Sequence, residues 1–197
     1  MSNSITEQKI KEAARKVFVK KGYDAARTRD IAEEAGVNLA LINYYYRSKE
    51  FLFDKIILES IEAFRNNLYA MMNDPATNIH EKIRLIVENY YCMFEQNPEL
   101  PMFMFHELEN KNEKIINEIN PRGIIHESVF EKQLIEHGKT QEEAKQVFLN
   151  IVSIIILPFL GKSFIKILCG VNDTGYKEII NKRKEEIPLW ITTMFNL

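Results

Sequence analysis

The side chains most capable of chemistry lie close together between Gly22 and Glu50, in the stretch GYDAARTRDIAEEAGVNLALINYYYRSKE. This stretch combines hydroxyl, amide and cationic side chains with small apolar ones. Hydroxyls and cations suit phosphate oxygens, amides and guanidinium groups suit base edges, and small apolar groups contact the thymine methyl. The chemistry that these residue types could perform is noncovalent recognition of a nucleic-acid duplex.

A first short helix is predicted to begin at Thr28, whose hydroxyl can act as the N-cap. Ile31, Ala32 and Ala35 then form a small apolar stripe along about two helical turns. Gly36 follows the stripe, and a glycine at this place can adopt the left-handed conformation that ends a helix.

A second helix is predicted to follow Asn38, whose side-chain oxygen can accept a backbone N–H of the first turn. Ile42 and Tyr46 lie four residues apart and define an inward face. The positions left to point outward are Leu39, Ala40, Asn43 and Tyr44, with Tyr45 beside them. Helix, glycine turn and helix form the pattern of a helix-turn-helix, although the same pattern also occurs in ordinary all-α cores.

The same stretch resembles the DNA-binding region of the TetR (tetracycline repressor) family of regulators. That family's pattern ends its recognition helix in a tyrosine and two further aromatic residues, followed by Ser-Lys-Glu and a long helix. The residues that carry the resemblance are Gly22-Tyr23, Thr28, Ile31-Ala32, Ala35-Gly36-Val37, Ile42, Tyr44-Tyr45-Tyr46 and Ser48-Lys49-Glu50.

Carried over by position, the resemblance implies two sets of DNA contacts. Base contacts are implied for Arg29, Leu39, Ala40 and Asn43, and phosphate contacts for Thr28, Tyr44, Tyr45 and Lys49. Arg29 is expected to read guanine, because a guanidinium group can bridge O6 and N7. The chain has Leu39-Ala40-Leu41 where the family often has Lys-Gly-Thr, and Tyr45-Tyr46 where it often has His-Phe. Asn43 also stands where the family often has tyrosine or another residue. These departures bear on the operator sequence more than on the act of binding.

The distribution of charge supports this interpretation. The chain has 197 residues, 46% of them hydrophobic, and a formal net charge of -2. Residues 1–50 carry ten Lys or Arg and seven Asp or Glu, whereas the remaining residues carry 16 and 21. The basic excess therefore coincides with the motif, as expected of a segment that faces phosphate. We expect a DNA-binding head at residues 1–49 and a helical body at residues 50–197.

Cap residues and helix breakers predict an all-α fold with nine or ten helices. Ser4 with Glu7 is expected to cap the first helix, and Asn97-Pro98 to open a short helix to about Asn110. The remaining predicted helices cover about 50–72, 78–96, 120–137, 141–169 with a kink or break at Pro158, and 175–195.

The run from Val147 to Leu160 is apolar on more faces than one packed layer requires. It is shorter than the roughly 20 residues that span a bilayer, so we expect no membrane segment. Pairing of the two C-terminal helices, about 141–169 and 175–195, across a two-fold axis would give a homodimer. The alternative is a core helix that lies wholly within one monomer, and Trp190 could serve either arrangement.

An aromatic and methionine cluster lies in the middle of the chain. In TetR-like regulators this region encloses an effector pocket, and such a wall suits a small hydrophobic or amphipathic molecule. Ordinary core packing is the alternative. The candidate effector-binding residues are Asn89, Tyr90, Met93, Phe94, Phe103, His106 and His126.

Other kinds of site have little support in the sequence. The four histidines lack the i, i+4 pairing of a helical metal site, so we expect neither a metal nor a cofactor. The sequence has no GxSxG, Walker loop, dinucleotide fingerprint or HExxH, so we do not expect an enzyme. Cys92 and Cys169 are expected to be reduced core thiols, which suits a cytoplasmic protein, and the N-terminus shows no leader-like apolar run.

The sequence therefore predicts a cytoplasmic, homodimeric transcriptional regulator, most simply a repressor. It would bind a palindromic operator on double-stranded DNA and release it when a small-molecule effector occupies the body. One alternative is a DNA-bound adaptor that responds to a protein partner and has no small-molecule pocket. A second is an all-α enzyme that carries an unused helix-turn-helix.

Overall fold

A computed structural model describes residues 2–110 and 113–197 of the chain. Those residues form twelve α-helices and no strand, which confirms the all-α prediction. The helices are α1 (Ser2–Lys21), α2 (Thr28–Ala35), α3 (Leu39–Tyr46), α4 (Lys49–Asn73), α5 (Ile79–Gln96), α6 (Leu100–Glu109), α7 (Glu113–Ile119), α8 (Pro121–Ile125), α9 (Val129–Glu136), α10 (Gln141–Leu160), α11 (Lys162–Cys169) and α12 (Asp173–Phe195).

The predicted count of nine or ten helices is too low for two reasons: α7 lies in a stretch where no helix was predicted, and the stretch expected to form one helix over 120–137 is broken. α8 ends at Ile125 and α9 begins at Val129, with Glu127 at a φ of +61° between them. Ser128 caps α9 by accepting the N–H of Glu131 at 3.1 Å, and its hydroxyl donates to the Ile125 carbonyl at 2.6 Å. Ser128 and Glu131 form a Ser-x-x-Glu capping pattern that indicates a helix start here. The continuous spacing of apolar residues over 120–137 favoured a single helix instead.

Three predicted helix starts are also displaced. α1 begins at Ser2, so Ser4 lies inside the helix and is not its cap. Thr28 is the first residue of α2, and the preceding Arg27 is the N-cap, with its N–H bonded to Asp30 Oδ2 at 3.0 Å. α6 begins at Leu100, because Asn97 is committed to the end of α5, where its N–H and its side-chain amide both bond the Met93 carbonyl.

The head and the body share one continuous element, the 25-residue helix α4. It packs on α1 and α3 and also on α5, α7, α8 and α9. Leu52, Ile56, Ile61 and Leu68 lie along its buried face. No flexible linker separates the two parts, so a tilt of α4 in the body is transmitted directly to the head.

α5 is the central helix of the body and packs against α4, α9, α10 and α12. Lys82 on this helix is fully buried, and its ammonium donates to the backbone carbonyls of Asp74 and Thr77 and to the Thr77 hydroxyl. Burial lowers the pKa of this lysine from its ordinary value. The side chain thus fixes the turn between α4 and α5 by satisfying carbonyls that the helix end leaves unpaired.

α10 continues through Pro158 to Leu160, and the break that was predicted at the proline falls instead at Gly161. Proline has no N–H, so the carbonyl of Ile154 loses its partner within the helix. Arg183 on α12 donates to that carbonyl at 3.1 Å, and the Tyr176 hydroxyl donates to the Pro158 carbonyl at 3.0 Å. Two side chains of α12 therefore compensate for the irregularity and fasten the two helices together.

Within the described part of the chain, α10 is the helix whose length and apolar composition are compatible with crossing a membrane. It is nevertheless packed against α5, α9 and α12, where Val147, Ile151 and Ile155 are fully buried. Length and composition alone are weak arguments for a span when the helix is also part of a folded core. Its remaining apolar surface faces outward.

The two cysteines do not lie in the core, contrary to prediction. Cys92 is exposed on the outer face of α5, and Cys169 is exposed at the end of α11, a helix with no buried residue. Their apolar neighbours in sequence suggested burial, but the structure leaves both thiols accessible to solvent.

Candidate nucleic-acid interface

The turn between α2 and α3 has the predicted geometry. Gly36 adopts a φ of +58°, and the N–H of Val37 bonds the Ala32 carbonyl at 3.0 Å. Asn38 is extended, and its Oδ1 accepts the N–H of Ala40 at 2.9 Å. The N-cap prediction for Asn38 is confirmed, and α3 leaves the turn in a fixed direction.

The inner face of α3 is held by two buried residues, as predicted. Ile42 is 1% exposed and Tyr46 is 0% exposed. The Tyr46 hydroxyl donates to the Glu7 carbonyl of α1 at 3.2 Å, and burial raises the pKa of this phenol. Tyr46 therefore anchors α3 to α1 and is unavailable to a ligand.

The outer face of α3 presents Ala40, Leu41, Asn43 and Tyr44, all exposed, with Tyr44 at 73%. Tyr45 is half-buried and meets the Tyr44 ring edge-on, at 5.2 Å between ring centroids. Leu41 was absent from the predicted outward set, although it lies three residues before Tyr44 and so shares its face.

Leu39 is less accessible than predicted. It is half-buried and packs against the core at the start of α3, so only part of its side chain can reach a duplex. Thr28 is also half-buried, at the first position of α2, whereas Arg29 beside it is exposed. The N-terminus of α2 thus carries two exposed cations, the N-cap Arg27 and Arg29.

Lys49 is half-buried and directed toward the loop before α2. Its ammonium donates to the carbonyls of Tyr23 at 2.9 Å and Ala26 at 3.1 Å, and it lies 4.2 Å from the centroid of the Tyr23 ring. Two of the three ammonium N–H groups are thereby used, and one remains for a phosphate oxygen.

Arg47 is suited to phosphate by its residue type but, like Leu41, lies outside the predicted contact set. It is exposed at the C-cap of α3, and its φ of +58° is rare for a residue with a side chain. Several other cations of α1 and α4 are paired within the protein: Lys11 with Glu59, Lys21 with Asp30, and Lys55 with Glu7. Arg29 and Arg47 are exposed and form no ion pair with another described residue, a distinction that needs coordinates.

Asp30 fixes the start of α2. Its carboxylate accepts the Arg27 N–H and pairs with Lys21 at 2.9 Å. The hydrogen bond from Lys21 and the bond from the Arg27 backbone lower the pKa of this carboxyl. Because Arg29 is the next residue in the chain, this network also sets the direction from which Arg29 projects.

The structure does not gather the seven candidate effector residues into one cavity. Asn89 and Met93 line a cleft of about 310 Å³ between α1, α4 and α5. Phe94 lines a larger cleft of about 700 Å³ that reaches from the end of α1 to α10, α11 and α12. Tyr90 lies in the core between Phe64 and Phe94.

The other three candidates lie elsewhere. Phe103 on α6 is half-buried and packs on Phe53 of α4, at 5.8 Å between ring centroids. His106 and His126 are exposed. Over the residues that the structure describes, no group of three or more His, Cys, Asp or Glu side chains is placed to hold a metal ion.

Comparison with known proteins agrees with this geometry. Residues 10–56 match the sequence profile of the bacterial regulatory proteins of the tetR family. A probable HTH-type transcriptional regulator, YttP of Bacillus subtilis (strain 168), is 26% identical over 96% of this chain and 94% of its own length. The HTH-type transcriptional repressor NicS of Pseudomonas putida is 29% identical over 76% of this chain and 68% of its own length.

The fold is likewise shared with a solved structure. A TetR-family regulator from Mesorhizobium loti superposes with a TM-score of 0.62 over 98% of each chain, at 14% sequence identity. At that identity the match concerns the fold alone. The matched profile spans α1 from residue 10, α2, α3 and the start of α4, which are the elements that position the exposed face of α3.

Proposed function

Since this chain is a DNA-binding transcriptional regulator of the TetR family, we propose that it reads its operator with the outer face of α3 and the N-terminus of α2. The observation that carries this proposal is the contrast between the two faces of α3. Ala40, Asn43 and Tyr44 are exposed, while Ile42 and Tyr46 are buried. A helix fixed on one side and open on the other is the geometry that enters a major groove.

Each predicted contact has a role in this proposal. Arg29, Asn43, Ala40 and the accessible part of Leu39 contact base edges, whereas Thr28, Tyr44, Tyr45 and Lys49 contact phosphates. Arg47 joins the second group because it is exposed at the end of α3. Residues 1–49 act as the DNA-binding head and residues 50–197 as the body.

We further propose that the active species is a homodimer. Its interface is formed by α10 and α12, and α11 adds further apolar surface to it. Leu149, Ser153 and Leu157 are exposed on one outward face of α10, with spacings of four residues. Leu189 on α12 is 65% exposed, and on α11 Phe164 and Ile167 are 64% and 81% exposed. Covering such a surface with a second copy removes apolar area from water, at about 25 cal/mol for each Å².

The dimer would present two copies of α3 to half-sites about 34 Å apart on a palindromic operator. The protein would work in the cytoplasm, where it meets the DNA that it regulates. We propose repression as the direction of control, and the relative from Pseudomonas putida is itself named a repressor.

The effector site in this proposal is the cleft of about 700 Å³ beside Phe94. Phe94 and Phe159 form part of its wall, with ring centroids 5.0 Å apart, and Tyr176 lies beside them. Charged side chains of both signs also line it: Lys162 and Lys177 on the side of α11 and α12, and Glu95 and Glu99 at the end of α5 and beyond it. An aromatic wall with cationic side chains suits an amphipathic molecule with an anionic head.

This cleft is placed to influence the head, because Val19 of α1 forms part of its lining. A molecule that fits the cleft better at one orientation of α1 shifts the population toward that orientation. Simultaneous contact with two half-sites then weakens, and the operator is released.

The alternative is an adaptor that responds to a protein partner. This alternative is favoured by the fact that the cleft is open to solvent, because a small effector is usually enclosed. A small amphiphile would regulate DNA binding in the first case and would have no effect in the second. Decanoate is a suitable probe, with decanol as the control that lacks the anionic head.

The experiment begins with selection of bound duplexes from random DNA. We expect the wild-type protein to enrich a palindrome and Asn43→Glu to enrich none, because a carboxylate on α3 is repelled by phosphate. Asn117→Glu places the same charge on the exposed surface of α7 and should enrich the wild-type palindrome. Equal enrichment by both variants would contradict the assignment of α3 as the reading helix.

The selected palindrome then serves to test the effector. Decanoate should weaken the affinity of the protein for this duplex, whereas decanol at the same concentration should not. Lys177→Glu should abolish the response while leaving affinity for the duplex unchanged. If decanoate has no effect on the wild type, the proposed effector class is wrong, even though DNA binding stands.

A further inference from the structure

We propose a second ligand site, specific for a small monocarboxylate, in the cleft between α1, α4 and α5. This cleft has a volume of about 310 Å³, which lies at the lower end of the range for small-molecule sites. It is separate from the cleft beside Phe94, because the two have no lining residue in common. The existence of this site does not depend on the function proposed above, although its influence on DNA binding does.

The lining of the cleft is mostly polar, with an apolar patch. Asn67, Asn89 and Asn97 contribute amides from α4, α5 and the residue after α5, and Ser60 contributes a hydroxyl. The apolar patch comes from Phe64 and Met93. Such a lining fits a compact ligand that combines hydrogen-bonding groups with a short hydrocarbon portion.

The charged groups in the lining are Arg15 and Glu59. Glu59 is bound at both carboxylate oxygens by Lys11, at 2.8 and 3.0 Å. Arg15 contacts the same carboxylate at 3.5 Å, the long limit of a hydrogen bond. Since Lys11 already neutralises Glu59, the guanidinium of Arg15 retains both its charge and most of its five N–H donors for a ligand.

A single carboxylate is the anion that suits this arrangement. A guanidinium group pairs with a carboxylate through two parallel hydrogen bonds. A doubly charged phosphate would bring a second negative charge to a site whose described lining offers one free cation, so a single carboxylate matches the charge of Arg15 better. The cleft therefore favours a monoanion.

Asn89 supplies a second recognition element. Its side-chain nitrogen is buried and has no hydrogen-bond partner among the described residues, which is unfavourable for a donor. The torsion about the Cβ–Cγ bond of asparagine is soft, so a modest rotation turns the amide toward the cleft. A carbonyl oxygen on the ligand would then satisfy this nitrogen.

The site lies across the junction of the head and the body. Arg15 belongs to α1, whereas Asn89 belongs to α5, so a ligand held by both prefers one orientation of α1. The cleft ends at Asn97, two residues before Glu99, whose carboxylate approaches Gly22 at the end of α1. Occupancy of the cleft is thus expected to change affinity for DNA.

Cys92 provides a direct measurement, because its exposed thiol forms part of the lining. In a Cys169→Ser background, N-ethylmaleimide reports on Cys92 alone. The probe ligand is N-acetyl-L-leucine, which has one carboxylate, one amide carbonyl and a short apolar side chain. The matched control is N-acetyl-L-leucinamide, which lacks the charge.

We expect N-acetyl-L-leucine to slow the modification of Cys92 with a saturable concentration dependence, and the neutral amide to have no such effect. Arg15→Gln should weaken this protection at least about tenfold, the loss expected for a charge-assisted hydrogen bond. Lys16→Gln, on the adjacent exposed position of α1, should leave it unchanged. Asn89→Asp introduces a negative charge without a change in shape and should also remove protection. This second variant tests the site if Arg15→Gln fails to fold.

Three outcomes would overturn the site: no protection by N-acetyl-L-leucine, equal protection by the neutral amide, or full protection in folded Arg15→Gln protein. Because none of these measurements includes DNA, a failure here is distinguishable from a failure of the regulator proposal. If protection is observed, the affinity for the selected palindrome is measured with and without N-acetyl-L-leucine. A difference supports the coupling across the junction, and equal affinities overturn the coupling but leave the site.

Discussion

At the scale of single residues, Arg29 and Asn43 are the side chains best placed to distinguish bases. Both are exposed, and each stands on a short helix whose opposite face is buried. An arginine that bridges O6 and N7 of guanine selects one base pair, whereas a cation on phosphate selects none.

Arg29→Ala should therefore weaken binding to the selected palindrome by about 1–3 kcal/mol and relax the preference at one base pair of each half-site. The measurement is a titration against the palindrome and its single base-pair variants. Arg84→Ala, which removes an exposed cation from α5, serves as the control and should change neither quantity. A uniform loss of affinity across all variants would mean that Arg29 contacts phosphate.

Arg47 and Lys49 should behave differently, although both are expected to contact phosphate. The affinity falls as the salt concentration rises, and each alanine variant should make this dependence less steep, by about one unit in the slope of log affinity against log salt. Only Lys49→Ala should also destabilise the head, by about 1–3 kcal/mol, because it leaves the carbonyls of Tyr23 and Ala26 without their shared donor. Urea unfolding and salt titration of both variants separate the two roles. A stable Lys49→Ala protein would show that the bonds to the loop contribute little.

The inward positions of α3 were predictable, because they follow from helical spacing after a recognisable cap, whereas the outward set included half-buried Leu39 and omitted exposed Leu41. The direction of the Lys49 ammonium was not predictable. Its two acceptors belong to Tyr23 and Ala26, and their carbonyls converge only when the loop between α1 and α2 has folded. A pattern of residue types carries no information about such backbone groups.

At the scale of elements, the contact between α10 and α12 depends on compensation for Pro158. Arg183→Met should cost about 1–3 kcal/mol of unfolding free energy, because the Ile154 carbonyl is then left unpaired. Pro158→Ala restores an N–H within α10, so the same arginine substitution should cost less in that background. The two costs come from urea unfolding of the four proteins in this double-mutant cycle. Equal costs in the two backgrounds would show that Arg183 acts through something other than this carbonyl.

The same contact predicts a response to alkaline pH. Burial raises the pKa of Tyr176 to about 12, whereas the unfolded phenol ionises near 10.0. The stability that this difference contributes is complete below pH 10.0 and is lost as the pH rises toward about 12. Tyr176→Phe should make the decline in unfolding free energy over that interval shallower, with exposed Tyr69→Phe as the control. It should also lose about 0.5–1.5 kcal/mol at neutral pH, because the bond to the Pro158 carbonyl is removed. An unchanged alkaline slope would contradict the buried position of the phenol.

Most long helices were predictable from caps and breakers, and the stretch between α5 and α10 was the exception. Asn78 with Glu81 and Thr140 with Glu143 form the capping boxes that the sequence indicates. Between them, Asn97 and Ser128 can each cap one helix or end another. Tertiary contacts of α5 and α9 decide between these roles, so the local sequence alone could not predict which role each residue takes.

At the scale of the whole molecule, we propose that a second copy of the chain covers the exposed apolar surface of α10, α11 and α12. Leu157→Arg should lower the affinity of self-association at least about tenfold, because a charge cannot be buried without cost in an apolar interface. Sedimentation at several concentrations measures this change. Tyr69→Arg, which places the same charge on an exposed apolar position of α4, is the control and should remain dimeric. A Leu157→Arg protein with undiminished self-association would place the interface elsewhere.

The continuity of α4 has a consequence for protein engineering. An α-helix advances by about 1.5 Å and turns by about 100° for each residue. One residue inserted near the start of this helix would therefore swing the reading surface to a different side of the molecule, and a deletion would do the same in the opposite sense. A fusion protein that joins this body to the DNA-binding head of another protein must therefore preserve the helical phase at the junction. For such fusions, phase matters more than similarity of sequence at the junction.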